Sequence, residues 1–308
     1  MNKERWSLAA ALATMLIWGM NFAVVKYVLE QLGVAAFLFL RFVSLPVLSF
    51  VLLLVIFRSR IRYTWPRRED LGRFILTGLL GHTVHIAVVM YAMSLSTAFS
   101  SALVLTSGPL FTLLILVFLK AERLHKAQVA GTLVACAGIG IFLADKFAGG
   151  ISRAGLGDLL LLVAAFLFSL YTVQTQPLAQ RYGPLIVLSY TLLFSSAPIL
   201  VLTWDAAQAI DYRALSLMVW FGLAWAIVGS SFLGWLMWTW VNTVRGVARS
   251  APFAYLCPPI AGLVAWLTLG ETFTWLKIGG AVITMAGVAW AQFGGGAPRT
   301  ETAQPDTP

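Results

Sequence analysis

Arg41, His82 and His85 are the residues most able to do chemistry, and all three fall inside long apolar runs. Arg41 lies roughly 10 Å from the start of its run at about 1.5 Å per residue. A charge near the middle of a spanning helix costs about 2.5–3.5 kcal/mol on insertion scales, so the guanidinium should face protein rather than lipid. There it could hold a carboxylate by two parallel hydrogen bonds, or it could bond backbone carbonyls of neighbouring helices. His82 and His85 are three residues apart and share one helical face. Imidazole exchanges a proton near neutral pH, which makes this pair the candidate for proton coupling. Bonding a neighbouring helix is the plainer alternative.

Asn21, Tyr171, Gln174 and Tyr255 place amides and hydroxyls in three further apolar runs. Such groups must find partners away from water, either in a cavity near mid-membrane or across a helix contact. Trp235 sits deep in its run, whereas Trp238 and Trp240 suit an aromatic belt at the membrane surface. The expected substrate-binding set is therefore Asn21, Arg41, His85, Tyr171, Gln174, Trp235 and Tyr255. Pro109 and Pro258 interrupt apolar runs, remove a backbone donor and are expected to act as hinges. Glu122 and Glu271 stand just beyond two runs, where each could cap the following helix.

No HExxH, close acidic pair within an apolar run or GxSxG elbow occurs, so no catalytic residues are assigned and an enzyme is not expected. Cys136 and Cys257 have no CxxC partner or ligand cluster nearby. No metal or other cofactor is expected. The net charge of +9 is spread through short breaks between apolar runs, which argues against nucleic acid as a partner.

These residues need elements to hold them, and composition says what kind. Of 308 residues 60% are hydrophobic and 11% charged, with mean hydropathy +0.87, against roughly 25% charged in a soluble domain. Taking about 20 apolar residues per span, the sequence predicts ten helices, near 7–29, 35–57, 72–94, 97–119, 126–144, 157–178, 184–204, 215–240, 247–269 and 275–293. Residues 294–308 have the composition of a disordered cytoplasmic tail. With the N-terminus inside, fifteen Lys and Arg residues fall on the cytoplasmic side and five on the other. That threefold bias predicts both termini in the cytoplasm.

A register shift of 149 residues superposes the chain on itself without a gap through the fourth and fifth and the ninth and tenth spans. Ser101 and Ala102 fall on Ser250 and Ala251, Pro109 on Pro258, Glu122 on Glu271, Gly131 on Gly280, Ala137 on Ala286 and Gly138 on Gly287. A shift of 150 brings Gly33 onto Gly183 and Trp18 onto Phe168, while Asn21 and Arg41 meet Tyr171 and Thr191. Residues 1–146 and 147–293 thus form two repeats. Five spans per repeat make the second enter the membrane from the opposite side, and inverted repeats place a site between the halves near the midplane.

Together with Trp18-Gly19-Met20-Asn21-Phe22, Arg41 and Leu269-Gly270-Glu271, these matched positions resemble the EamA-type transporters of the drug/metabolite transporter superfamily. The resemblance covers nearly the whole chain. It implies an all-α integral membrane protein with ten transmembrane helices as two inverted five-helix repeats, both termini inside, in a bacterial inner (plasma) membrane. It also implies a secondary transporter that exports or exchanges a small metabolite such as an amino acid. The partners expected are that small molecule and the lipid bilayer, with no obligate protein partner. The alternative is proton-coupled efflux of lipophilic cationic drugs, against which the lack of mid-span carboxylates counts.

Overall fold

In a computed structural model the described residues are 3–119, 126–147 and 153–293, and helices dominate them. The helical elements are α1 (Lys3–Phe57), α2 (Arg68–Leu95), α3 (Ala98–Phe118), α4 (Lys126–Phe147), α5 (Arg153–Tyr182), α6 (Pro184–Gln208), α7 (Leu217–Arg245), α8 (Ala251–Leu269) and α9 (Trp275–Phe293). Eight of these contain a stretch long and apolar enough to cross a membrane, and the apolar stretch of α9, Trp275–Ala291, is shorter. Large apolar side chains on the outside suit a lipid solvent: Phe118, Val201, Leu202 and Leu217 are between 77% and 86% exposed.

The first element is two helical limbs, because Gly33 takes φ 74°, ψ 165° in its interior. Gly183, between α5 and α6, adopts nearly the same conformation (φ 87°, ψ 152°). A side chain is strained at such angles and glycine is not. The two residues that the 150-residue shift aligns therefore make the same backbone turn. Pro184 follows at the first position of α6, where its missing N–H costs nothing.

Two helices contain a π-helical insert. In α2 it spans Leu79–Val84, and in α7 it spans Trp225–Gly234. Adding 149 to the first range gives a segment inside the second. One extra residue in a turn rotates everything beyond it, and such inserts concentrate at functional sites.

The helices α4 and α9 pack at backbone distance through glycine. A Cβ on Gly131 would collide with Gly287 and Ala291, and one on Gly280 would collide with Gly138 and Phe142. Low residue numbers on one helix meet high numbers on the other, so the two run antiparallel. Small residues at a lipid-embedded contact let backbones approach, replacing a hydrophobic drive that lipid cannot supply.

The prolines expected at mid-helix lie where broken helices restart. α3 breaks at Thr106–Ser107 and resumes at Gly108, with Pro109 in the first turn of the new segment. α8 begins as a tight 3₁₀ stretch, Ala251–Leu256, and becomes α-helical at Cys257 with Pro258 in its first turn. The break belongs to the preceding residues, and each proline occupies a position that lacks a helical acceptor anyway.

Glu271 corrects another expectation. Gly270 closes α8 in the left-handed conformation (φ 64°, ψ 24°), and the carboxylate then accepts hydrogen bonds from the N–H groups of Ala98 (2.6 Å) and Phe99 (3.2 Å). It caps α3, 173 residues away in sequence, and not the helix that follows it. The positive end of α3 favours that charge. Glu122 and the tail 294–308 lie outside the described residues. Glu271→Gln is expected to lower stability by about 0.5–2 kcal/mol, the usual worth of a cap, read as a drop in melting temperature in detergent.

Candidate functional site

Four helical segments bring aromatic side chains to one place: the first limb of α1 (Trp18), α2 (His82, His85), α5 (Phe168, Tyr171) and α7 (Trp235, Trp238). Trp235 is the hub. Its ring centroid lies 4.7 Å from that of His82, 5.0 Å from Tyr171, 5.7 Å from Phe168 and 6.5 Å from Trp18. Trp18 also meets Phe168 at 5.9 Å and Trp238 at 5.6 Å. Most of these pairs are edge-on or tilted, the arrangement that ring quadrupoles favour.

Backbone features put the rings there. The π insert of α2 ends at Val84, so it carries His82 and sets the direction of His85. The insert of α7 ends at Gly234, immediately before Trp235. Within it the Ser230 carbonyl accepts a hydrogen bond from the Trp18 indole N–H at 3.1 Å. Gly81 leaves room for Tyr171: a Cβ there would lie within the phenol ring. Gly78, one turn earlier, packs against the Thr191 backbone, where a Cβ would collide with the carbonyl oxygen.

Both histidines bond neighbouring helices. His85 Nδ1 pairs with the Ala164 carbonyl at 2.9 Å, and His82 Nε2 lies 3.2 Å from the Thr191 hydroxyl. The Nδ1 of His82 is buried without a partner. Arg41 is 4% exposed and lies within electrostatic range of both histidines. Among the described residues no carboxylate forms an ion pair with it. Its Nε is buried and unbonded. A buried cation left in that condition is costly unless something completes it.

Towards the Lys3 end of the bundle the cluster opens into a small recess of about 10 Å³ lined by Tyr171, Thr172, Thr175, Gln176, Trp238, Thr239 and Asn242. Beyond it polar contacts close that end. Arg181 bonds Asp70 at 2.7 Å and Glu69 at 2.6 Å, Tyr182 bonds Asp70 at 2.5 Å, and Arg245 reaches the Ser7 hydroxyl at 3.3 Å. The opposite end is fastened on the turn between α2 and α3. Lys26 donates to the carbonyls of Met93 and Ser94 at 3.2 and 3.3 Å, and Ser96 bonds the buried Asp158. The Glu271 cap completes this closure.

Of the residues expected from sequence, His82, His85, Tyr171 and Trp235 meet in one cluster, and Arg41 lies within electrostatic range of the histidines. Asn21 lies about one turn beyond Trp18, with its carbonyl oxygen buried and unpaired. Gln174 is half-buried, and it is Gln176 that lines the recess. Tyr255 packs instead with Leu110, Ala135, Val288 and Ala291, apart from the cluster. Trp238, expected in a surface belt, is 3% exposed and stacks on Phe168. Sequence reasoning missed Phe168, Thr172, Thr175 and Asn242. Their spacing at 168, 172 and 175 on α5 was the available signal.

Comparison with known proteins bears on what such a site serves. The EamA-like transporter family matches residues 5–144 and again 155–292. A protein of Streptantibioticus cattleyicolor named "Probable terminal-alkyne amino-acid exporter" is 28% identical over 94% of this chain and 93% of its own length. A Salmonella typhimurium protein named "Probable amino-acid metabolite efflux pump" is 27% identical over 92% and 94%. An "Uncharacterized transporter" of Archaeoglobus fulgidus is 23% identical over 92% and 97%. A solved crystal structure shares the fold, with TM-score 0.69 over 94% of this chain and 98% of that one at 17% identity. Matched along nearly its whole length and built of membrane-spanning apolar helices, the chain belongs to the EamA-like transporter family.

Proposed function

We propose that this protein is a secondary transporter of the bacterial inner membrane that exports or exchanges small zwitterionic metabolites such as amino acids. The observation that carries this reading is Arg41, a buried cation with no ion-pair partner among the described residues and within electrostatic range of His82 and His85 in the aromatic cluster. A solute carboxylate would complete the guanidinium by a bidentate contact. The rings of Trp18, Phe168, Tyr171 and Trp235 would hold the solute's apolar body. Asn21, His85, Gln174 and Tyr255 complete the wider candidate set. The names of the Streptantibioticus and Salmonella relatives support amino acids as the class and export as the direction.

The mechanism we infer is alternating access between two inverted repeats, residues 1–146 and 147–293. Counting the two limbs of α1 separately makes ten crossings, five per repeat. Three observations support the inversion. Gly33 and Gly183 make the same turn; the π inserts occupy matched positions; and the contacts of α4 with α9 are reciprocal, with Gly131 on Gly287 mirrored by Gly280 on Gly138. A pseudo-two-fold axis in the membrane plane generates such reciprocity. Pro109 and Pro258, at matched helix restarts, are the proposed hinges. The polar closures at the two ends would open in turn, and the fifteen-to-five distribution of Lys and Arg supports an orientation with both termini in the cytoplasm. His82 and His85, which lie within electrostatic range of Arg41, are the proposed groups for any proton coupling.

Counterflow in proteoliposomes tests the reading. Vesicles loaded with unlabelled aromatic or aliphatic amino acids are expected to accumulate the labelled solute, and the matching amines without a carboxylate to compete poorly. Flux of lipophilic cations with none of amino acids would overturn it.

A further inference from the structure

Five buried polar atoms without a hydrogen-bond partner converge on the recess between α5 and α7: the hydroxyls of Tyr171, Thr172 and Thr175, the carbonyl oxygen of Asn242 and the indole nitrogen of Trp238. Their residues are all 5% exposed or less. The Tyr171 hydroxyl faces Thr175 and Thr239 without meeting the geometry of a bond. Thr239 itself is satisfied, donating to the Trp235 carbonyl at 2.8 Å. Buried polar groups are ordinarily paired, so this concentration in one recess marks a place prepared for an occupant.

The chemistry of the lining limits what that occupant is. Among the described residues no charged side chain lines the recess, so an anion there would be buried without a counter-ion and would meet mainly hydroxyl and amide oxygens. A cation benefits from the hydroxyl and amide oxygens of Tyr171, Thr172, Thr175 and Asn242 as acceptors. Asn242 also stands in the last turn of α7, where the helix dipole favours positive charge. Arg245, the nearest cation along that helix, is drawn away to the Ser7 hydroxyl on α1. The volume of about 10 Å³ suits a group of the size of one water, which is also the size of an ammonium.

We propose that this recess is a subsite for a primary ammonium group, with Asn242, Thr172, Thr175 and Tyr171 as its oxygen acceptors and Trp238 as its aromatic wall. The assignment rests on the carrier reading in one respect: it supplies the second pole of a zwitterion whose carboxylate is assigned to Arg41. The site lies on the Lys3 side of the aromatic cluster, so an ammonium bound there would reach the recess before Trp235 when the solute comes from that side.

The probe is 2-phenylethylamine, which carries an ammonium and a ring but no carboxylate, tested by calorimetric titration and thermal shift on the full-length protein in detergent. Phenylalanine and 3-phenylpropionate are the parallel ligands and separate an amino acid from a free amine as the source of the ammonium. Asn242→Asp should tighten amine binding about tenfold, because an ionised acceptor roughly doubles the strength of a hydrogen bond. The near-isosteric Thr175→Val and Thr172→Val should weaken it several-fold. Binding of 3-phenylpropionate should be unchanged in both valine variants and no tighter in Asn242→Asp. Amine binding that is indifferent to both valine variants and no tighter in Asn242→Asp overturns the subsite, as does an effect of equal size on 3-phenylpropionate. Failure of the carrier reading looks different: no amino acid would show counterflow, while amine binding would still follow the substitutions.

Discussion

Arg41→Met is expected to leave the protein as stable as before or more so, while its apparent affinity for carboxylate-bearing solutes falls roughly ten- to a hundredfold. The two halves of this expectation come from one fact. The guanidinium is buried with no ion-pair partner among the described residues, so removing it relieves an uncompensated charge at little loss of native contacts. The affinity loss is that of hydrogen bonds to a charged group, about 1.5–3 kcal/mol, with about 1.4 kcal/mol for each tenfold. Methionine keeps an unbranched apolar stem of similar reach and fills the space. Melting temperature in detergent and the half-saturating concentration for counterflow are the two readouts. A structural arginine would move them together, with stability falling as affinity falls. Opposite movement identifies a residue retained for the solute.

Gly81→Ala is expected to abolish exchange and to destabilise by about 1–3 kcal/mol, the usual cost of overpacking a filled interior. The added carbon would lie within the Tyr171 ring. That ring has little room to retreat, with His82 at 5.2 Å and Trp235 at 5.0 Å. Displacing it therefore disturbs the whole cluster. Gly72→Ala, on the same helix, adds a carbon that meets nothing within 4 Å, and is expected to be neutral or to stabilise by up to about 1 kcal/mol through helix propensity. Combining Gly81→Ala with Tyr171→Ala should cost less than the two separately, because the second change removes the obstacle to the first. Additive costs would mean that the strain lies elsewhere. Thermal melts of the four variants, with counterflow rates beside them, decide between these outcomes.

The matched glycines show why so much of the scaffold was legible. Gly131 and Gly280, or Gly33 and Gly183, are aligned by shifts of 149 and 150 residues, and a glycine is kept where a Cβ cannot fit or where φ is positive. Each of those causes is local, so it leaves a mark in the string of residues. The closure at Glu271 was harder to read. That a carboxylate beyond a helix end would cap something followed from its position, but which helix it caps depended on how the bundle folds back. Trp238 was misplaced for a related reason: depth along a helix was estimated from the number of residues, and the face was unknown. In lipid both faces of a helix are apolar, so periodicity carries little information about direction.

What the sequence by itself determined is the membrane as solvent, the positions of the apolar runs, the duplication and a short set of polar residues inside those runs. Each follows from sums over neighbouring residues, since transfer energy and charge bias add along the chain. What the tertiary structure alone decided is which of those polar residues meet. The π inserts at Leu79–Val84 and Trp225–Gly234 turn the residues beyond them by roughly 100° for each one added to a 3.6-residue turn. That rotation brings His82, His85 and Trp235 together, and no residue type announces it. Tyr255 was carried elsewhere by its own helix. The recess of Tyr171, Thr172, Thr175 and Asn242 exists because α5 and α7, far apart in the chain, turn their polar faces towards each other, and only packing sets that orientation.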